Sequence, residues 1–396
     1  MTLMLAAVYA DGWDDAVVNP LTRTAAEARD AAGEPYSVVL LRDGRRHAVI
    51  DISWVDGYCH VSRYDEADRQ ISRHELRRTP DGDLFLRRAR TWVGPPDVGV
   101  HEFPHVAARH STTYRLAGGR TDIDEPQGDR GSRSDTSSAE FPPRLPVPAF
   151  GRWRDLLALV GDGDCEIVEA DGHSLPVRSA TVPPWQPPRP LTPDDVEELF
   201  RAGTERPIDD RRMRLSTHSA GTLRLPSGRL VATDPGWLKY DNVPFTVTVP
   251  PGDYPVTISL ATFVDEPDHR RVAAARLDIT DRPVVGWELA LRDGQEPLDL
   301  GAGEFFGFGV DAGLACFADA GTYDRIPDLK SHLDAMIEPR YRVIGDGELV
   351  AWSSGWGDGA YPTWIGRDAD GDVVCFVADM LLFYEGEDEE GEDEED

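Results

Sequence analysis

Four stretches of this 396-residue sequence carry side chains whose types and spacing could do chemistry. "HEFPH", His101 to His105, spells the zinc-protease pattern letter for letter. That chemistry needs both histidines on one helical face, with the glutamate beside a metal-bound water. Pro104 removes a helical donor and pushes Phe103 away from helical backbone, so the helix cannot form across the motif. His110 is available as a third ligand but does not repair the geometry. "DADGDVVCFVAD" puts Asp368, Asp370, Asp372 and Asp379 at calcium-loop spacing. Val373 stands where the sharp turn of such a loop needs glycine, and the flanks have strand character. The spacing therefore predicts a hairpin turn at Asp370-Gly371.

The other two stretches are "GVDAGLACFADA" and "SSGWGDGAYPTWIGRDADGDVVCF". In the first, Asp311 ends a strand and Gly313 permits a tight exit; Asp319 follows eight residues on. A phosphate cradle there would meet the charge of Asp311. In the second, Ser353 and Ser354 end a strand. Gly355, Gly357 and Gly359 allow a close backbone path, Trp356 and Tyr361 supply flat surfaces, and Asp358 supplies a carboxylate. Such a set suits a small-ligand or partner site. It suits first a buried glycine corner, with Trp356 plugging the core. Asp311, Asp319 and Asp358 could form an acid cluster for metal-assisted or general acid–base work. Ser354 or Cys316 could act as a nucleophile, but neither stretch holds a histidine to activate it. His218, His269 and His332 lie elsewhere. The candidate ligand or partner residues are thus Asp311, Asp319, Ser354, Trp356, Asp358 and Tyr361; no catalytic residue, metal ligand or cofactor is assigned.

The elements that must position these residues are mostly strands. Residues 21–33 predict a short helix closed by Gly33. A meander follows, with turns at Asp43-Gly44, Asp56-Gly57 and Asp81-Gly82 between alternating runs. In "RRTPDGDLFLRRAR", Arg77, Arg78, Arg87, Arg88 and Arg90 are expected on the exposed face of a hairpin. Residues 118–148 are poor in apolar residues and rich in Gly, Ser, Asp and Pro, the composition of a disordered linker. A connecting segment over 149–190 carries one helix, one strand and a proline spacer. "LTPDDVEELF" predicts a helix capped by Thr192, with Pro193 in its first turn. Many strands follow, interrupted by a helix across 326–337. The expected fold is α+β and β-rich, with two domains. Each is a mostly antiparallel sheet with one or two helices, over 1–117 and 191–384. Residues 385–396 are expected to be a disordered acidic tail.

The net charge is −31, and the last twelve residues contribute ten acids. Such acidity opposes binding to nucleic acid and to anionic membrane. Thirty-nine of the 41 basic residues are arginine, which suggests a GC-rich bacterial source and removes arginine count as a functional signal. Cys59, Cys165, Cys316 and Cys375 form no C-x-x-C pair, so neither a zinc ribbon nor a redox pair is written here. The start lacks the basic region of a signal peptide, and no run of 18 apolar residues exists. A cytoplasmic protein is expected.

"LPSGRLVATDP", "VPPGDYPVTIS", "RVAAARL", "GVDAGLACFADA" and "SSGWGDGAYPTWIGRDADGDVVCFVAD" occur in that order. Over about residues 215–384 the chain resembles the bacterial domain-of-unknown-function 4241 family. The resemblance implies no mechanism. Family members often carry a small polar residue and glycine at Leu314-Ala315, and cysteine at Thr233. The N-terminal half resembles no family.

Acidity, β-rich domains and an incomplete catalytic set lead to one expectation: a non-catalytic binding or interaction module, immunity-like towards a basic protein partner. The alternative is a hydrolase-like enzyme using Asp311, Asp319 and Asp358 with a divalent metal. A scaffold joining two unrelated modules stays open beside the first. Substrate, partner identity and oligomeric state are not written in the sequence.

Overall fold

The computed structural model describes residues 3–14, 16–93, 108–126, 132–138, 140–170, 175–181, 186–193, 195–326, 329, 333 and 340–384. Strands dominate them, and they divide into two compact units: residues 1–188 with 296–299, and residues 189–295 with 300–396. "HEFPH", the tail and most of the helix expected at 326–337 lie outside the described residues.

The first unit contains β1 (Leu3–Trp13), β2 (Val17–Leu21), α1 (Arg23–Ala32), β3 (Tyr36–Arg42), β4 (Arg45–Ser53), β5 (Tyr58–Tyr64), β6 (Gln70–Arg78) and β7 (Asp83–Val93). It continues with β8 (Ala108–Tyr114), β9 (Arg120–Glu125), β10 (Arg133–Ser137), β11 (Arg144–Pro146), α2 (Arg154–Leu159), β12 (Cys165–Glu169) and β13 (Val177–Arg178). One sheet joins all thirteen strands, in the order β10-β9-β8-β7-β6-β5-β4-β3-β1-β2-β13, with β11 on β7 and β12 on β1. Asp43 and Gly44 both adopt positive φ in the β3–β4 turn, the backbone a two-residue hairpin demands. Thr22 caps α1 by accepting from the Ala25 N–H, and left-handed Gly33 closes it. Both helices cover one sheet face. Ala26, Trp153, Leu156 and Leu157 pack there on Tyr36, Val38, Leu40, Ile50 and Leu76.

The stretch expected as a disordered linker instead supplies β9, β10 and β11. Little apolar burial holds β9 and β10; cross-strand polar contacts do. Thr112 donates to Asp122 at 2.7 Å, His110 meets Asp124 at 2.7 Å, and the Thr121 and Thr136 hydroxyls lie 3.3 Å apart. His110 is therefore a sheet residue facing a carboxylate. The first unit runs on to residue 188, taking in the segment from 149 as well.

On the sheet face opposite the helices, register sets Ser37, Asp51, His60, Glu75 and Arg88 in one row across five strands. Ser37 donates to Asp51, whose other oxygen lies 2.9 Å from His60 Nε2. Tyr58 donates to Glu75 at 3.1 Å and Arg87 donates to it at 2.9 Å. A bulge after Glu75 leaves Arg87 as the extra residue of β7, which turns its guanidinium onto Glu75. Arg87 is 1% exposed, and Arg77, its guanidinium over the Tyr58 ring, is buried too, against the expectation of an exposed hairpin face. Burial opposes ionisation of Glu75, but Arg87, Arg73, Arg77 and Arg88 outweigh it and hold the carboxyl down at about 2. Burial, then Arg73, presses His60 below its ordinary value against the pull of Asp51.

The second unit contains β14 (Glu205–Ile208), β15 (Arg211–Leu225), β16 (Leu230–Thr233), β17 (Gly252–Phe263), β18 (Arg270–Asp278), β19 (Gly286–Leu289), β20 (Gly307–Val310) and β21 (Leu314–Asp319). β22 (Tyr341–Ile344), β23 (Leu349–Ser353), β24 (Gly359–Arg367) and β25 (Val373–Asp379) complete it. The larger sheet runs β14-β15-β17-β18-β25-β24-β19 with β20 on β24; the smaller runs β16-β21-β23-β22. The main core, including Leu223, Ile258, Phe317, Trp352 and Phe376, draws on both sheets. Each sheet is also covered on its outer face, by Val196 and Leu199 on one and by Leu238 and Ile326 on the other. Burial on both faces explains the near-continuous apolar runs of β21, β23 and β25. The helix expected from Thr192 is instead a turn and the 3₁₀ segment Glu198–Phe200. The backbone bonds there run three residues back, from Val196 to Pro193, Glu198 to Asp195 and Phe200 to Glu197, and Ser259 satisfies the terminal Leu199 carbonyl.

The row across the first sheet gives a prediction. Removing the Glu75 carboxylate leaves buried arginines uncompensated, so Glu75→Ala should cost about 3–5 kcal/mol at neutral pH in urea unfolding. The Glu75 pKa is lowered on folding, so its contribution is present above the ordinary glutamate range and lost as pH falls towards about 2. The Ala variant should therefore lose less stability than the parent over that acid window; an identical acid limb in both would overturn the assignment.

Candidate functional site

Strand register brings three connections of the second unit to one end. β16 and β21 pair so that Thr233 faces Cys316 and Leu230 faces Asp319. β21 and β23 pair so that Leu314 faces Ser353. Val310 faces Gly359 across β20 and β24. The loop 234–244, the turn 311–313 and the loop 354–358 therefore leave the sheets at the same end.

A buried carboxylate ties the first two together. Asp234 is fully buried. One of its oxygens accepts from the Gly236 N–H at 2.7 Å; the other accepts from Asp311 N–H at 2.9 Å and Ala312 N–H at 3.0 Å. Three backbone donors compensate the desolvated charge without a cation. Asp241 closes the far side of the same loop. It accepts from Thr233 Oγ at 3.1 Å and from Arg292 at 2.7 Å, and Arg292 also donates to the Ala232 carbonyl at 2.7 Å. Between these anchors Leu238 points into the core, while Trp237 and Tyr240 point out at 48% and 71% exposure. Their rings lie 6.0 Å apart in an edge-on arrangement.

The glycine-rich loop is built as tightly. Ser354 is buried; its N–H donates to the Gly313 carbonyl at 3.0 Å and its hydroxyl to the Gly357 carbonyl at 2.7 Å. Tyr361, also buried, donates to the Gly357 carbonyl at 2.8 Å. Gly355 has φ of 43°, and a Cβ there would stand 2.9 Å from the Met380 carbonyl oxygen, so only glycine fits. Asp358 accepts from the Gly313 N–H at 3.0 Å. Trp356 does not plug the core, a role taken by Trp352 and Trp364. It is 53% exposed, with the Arg271 guanidinium 5.3 Å from its ring centre.

Of the six residues singled out from sequence, Asp311, Ser354, Trp356, Asp358 and Tyr361 meet at this end, and Asp319 does not. Asp319 sits at the far end of β21, about 17 Å along a strand of that length. Its carboxylate is buried and engaged by Ser227 N–H at 2.9 Å, Ser227 hydroxyl at 2.5 Å and Arg325 at 3.0 Å. The three aspartates therefore form no common acid cluster. Among the described residues no three His, Cys, Asp or Glu side chains group as metal ligands. Asp368 accepts from the N–H groups of Asp370 and Asp372 within the β24–β25 hairpin, and Arg282 binds it at 2.6 Å. Ser354 donates its proton to a carbonyl rather than to a base. Burial, then the charge of Asp234, raises the Cys316 thiol well above its ordinary value and keeps it protonated.

Sequence reasoning missed Asp234, Trp237, Tyr240 and Asp241. Their signal is "TDPGWLKYDN", where two aspartates bracket aromatic residues directly after an apolar strand. What faces outward at this end is three aromatic rings and the carboxylates of Asp311 and Asp358; what faces inward is the hydrogen bonding that fixes them.

Asp234→Ala should leave three backbone N–H groups without their acceptor and cost about 1–3 kcal/mol. Hydrogen exchange should quicken at Gly236, Asp311 and Ala312 before it does in β25. Unchanged protection at those three amides would show that Asp234 does not hold the loop.

Neither a curated protein nor a solved structure matches the chain. A family model does match, from within β15 to within β25, and it takes in the whole of this end; the N-terminal half matches none. Over residues 223–378 the chain is similar to the family described as protein of unknown function (DUF4241).

Proposed function

We propose that the protein is a non-catalytic binding module and that this end of the second unit is its docking surface for a protein partner. The observation that carries the reading is the exposure of Trp237, Tyr240 and Trp356 on loops fastened by hydrogen bonds to buried Asp234 and Ser354. Exposed rings dominate interface energetics, and rings fixed before binding lose little conformational freedom on contact. The net charge of −31 favours a basic partner, in an immunity-like role. The bacterial, cytoplasmic setting belongs to the same proposal; four free, buried cysteines suit a reducing compartment. A hydrolase built on Asp311, Asp319 and Asp358 is disfavoured by the separation of Asp319 from the other two.

The test is capture on the full-length protein with a salt gradient, the bound species identified by mass spectrometry. A basic protein should elute with salt, and Trp237→Ala with Trp356→Ala should weaken its retention about tenfold or more. Retention indifferent to both substitutions, or a bound small molecule released as a converted product, would overturn the reading.

A further inference from the structure

Two exposed carboxylates, Asp311 and Asp358, stand at the docking end. Among the other surface acids of the second unit, Glu205, Asp265, Glu288 and Asp346 each meet an arginine, while Asp209, Asp268 and Asp293 meet none among the described residues. Asp311 and Asp358 have no ion-pair partner among the described residues; the one recorded contact of either carboxylate is the Gly313 N–H on Asp358. The turn that carries Asp311 is fastened to Asp234, at the root of the loop bearing Trp237 and Tyr240. Unneutralised carboxylates beside exposed aromatic faces suit a planar cation, which stacks on a ring while it donates to an oxygen.

The chain's own cations mark where such a group fits. Arg271 already lies over Trp356, and Arg340 is near enough to act on it, so two guanidinium groups sit on that side of the end. Lys239 lies 5.3 Å from the Tyr240 ring centre and is a weaker competitor, because a hydrated ammonium stacks less well than a guanidinium.

We propose that Trp237 and Tyr240, with the carboxylates of Asp311 and Asp358, form a recognition site for arginine side chains on an extended basic segment of the partner. The proposal rests on the docking reading above and names the partner's contacting group. It separates arginine from lysine, which the net charge of the chain does not: the long-range field treats both alike, while ring stacking and paired hydrogen bonds favour the guanidinium.

Fluorescence anisotropy with the full-length protein tests it, using a labelled nine-residue arginine peptide and a lysine peptide of equal charge at about 50 and 300 mM NaCl. The arginine peptide should bind about fivefold or more tightly than the lysine peptide, and the difference should persist at the higher salt. Asp311→Asn with Asp358→Asn should weaken arginine-peptide binding about tenfold. Asparagine keeps the acceptor for the Gly313 N–H, so the loop stays closed. Asp43→Asn with Asp209→Asn removes the same charge elsewhere, at left-handed positions asparagine tolerates, and should change binding less than about twofold. Lys239→Gln, which vacates one face of Tyr240, should strengthen binding.

Equal affinity for the two peptides, or equal loss from both asparagine pairs, would reduce the binding to bulk acidity and overturn the proposal. The captured partner separates this failure from failure of the docking reading. A partner lost with Trp237→Ala and Trp356→Ala but kept with Asp311→Asn and Asp358→Asn leaves the docking end standing without arginine recognition. A partner kept by every variant removes both.

Discussion

A single buried carboxylate, that of Asp234, decides what one end of the second unit can present. It accepts three backbone N–H groups, two of them from a turn 77 residues further along the chain. A charge that far from water needs compensation, and rigid backbone donors supply it at fixed geometry. The aromatic loop can then neither swing away from the 311–313 turn nor collapse onto it. Asp241 and Arg292 repeat the arrangement on the other side of the loop. The polar interior of this end fixes its surface, and the rings stay exposed because the backbone beneath them has no freedom left to bury them.

The first unit uses buried charge differently. There the sheet is the frame, and Ser37, Asp51, His60, Glu75 and Arg88 face one another because register puts them in line. Asp51 is held by Ser37 and His60 and Glu75 is neutralised by arginine, side chains rather than loop amides in both cases, and a bulge supplies Arg87. In the second unit removing the buried acid frees a loop; in the first it leaves arginines without their counter-charge. Stability in the first unit therefore depends on pH through Glu75, whereas the site in the second depends on Asp234 for its shape.

How much of this was legible depended on the range of the interaction. The Asp43-Gly44 turn and the Gly33 stop were readable because adjacent residues determine them. The strands of the second unit were readable because burial on both faces writes long apolar runs. β9 and β10 were not: their stability comes from Thr112 on Asp122 and Thr121 beside Thr136, and such partners leave no mark in local composition. Arg87 was misplaced because nothing local shows that Glu75 of the neighbouring strand will take its guanidinium into the interior. Trp356 was given a core role on its residue type alone, since nothing local reveals that Arg271 will lie over it. Asp234 was passed over because its importance lies entirely in donors from distant turns, though the bracketed aromatic motif that follows it was visible.

Charge is unevenly spread across the proposed docking end. Arg271 lies over Trp356, while the carboxylates gather at the 311–313 turn: Asp311 is part of it, and Asp358, two residues after Trp356, accepts from its Gly313 N–H. A uniformly acidic face would attract any basic protein in any orientation. A face with opposite signs at its two sides attracts strongly in one orientation and repels in the reverse one. The same division explains why the exposed rings are not equivalent. Trp356 has a guanidinium of its own chain on one face and Tyr240 an ammonium, whereas Trp237 has neither among the described contacts, and its loop is fastened through Asp234 to the turn that carries Asp311. Selectivity at such an end comes from the arrangement of a few fixed charges around rigid rings, and the net charge of −31 contributes attraction without choosing the partner's orientation.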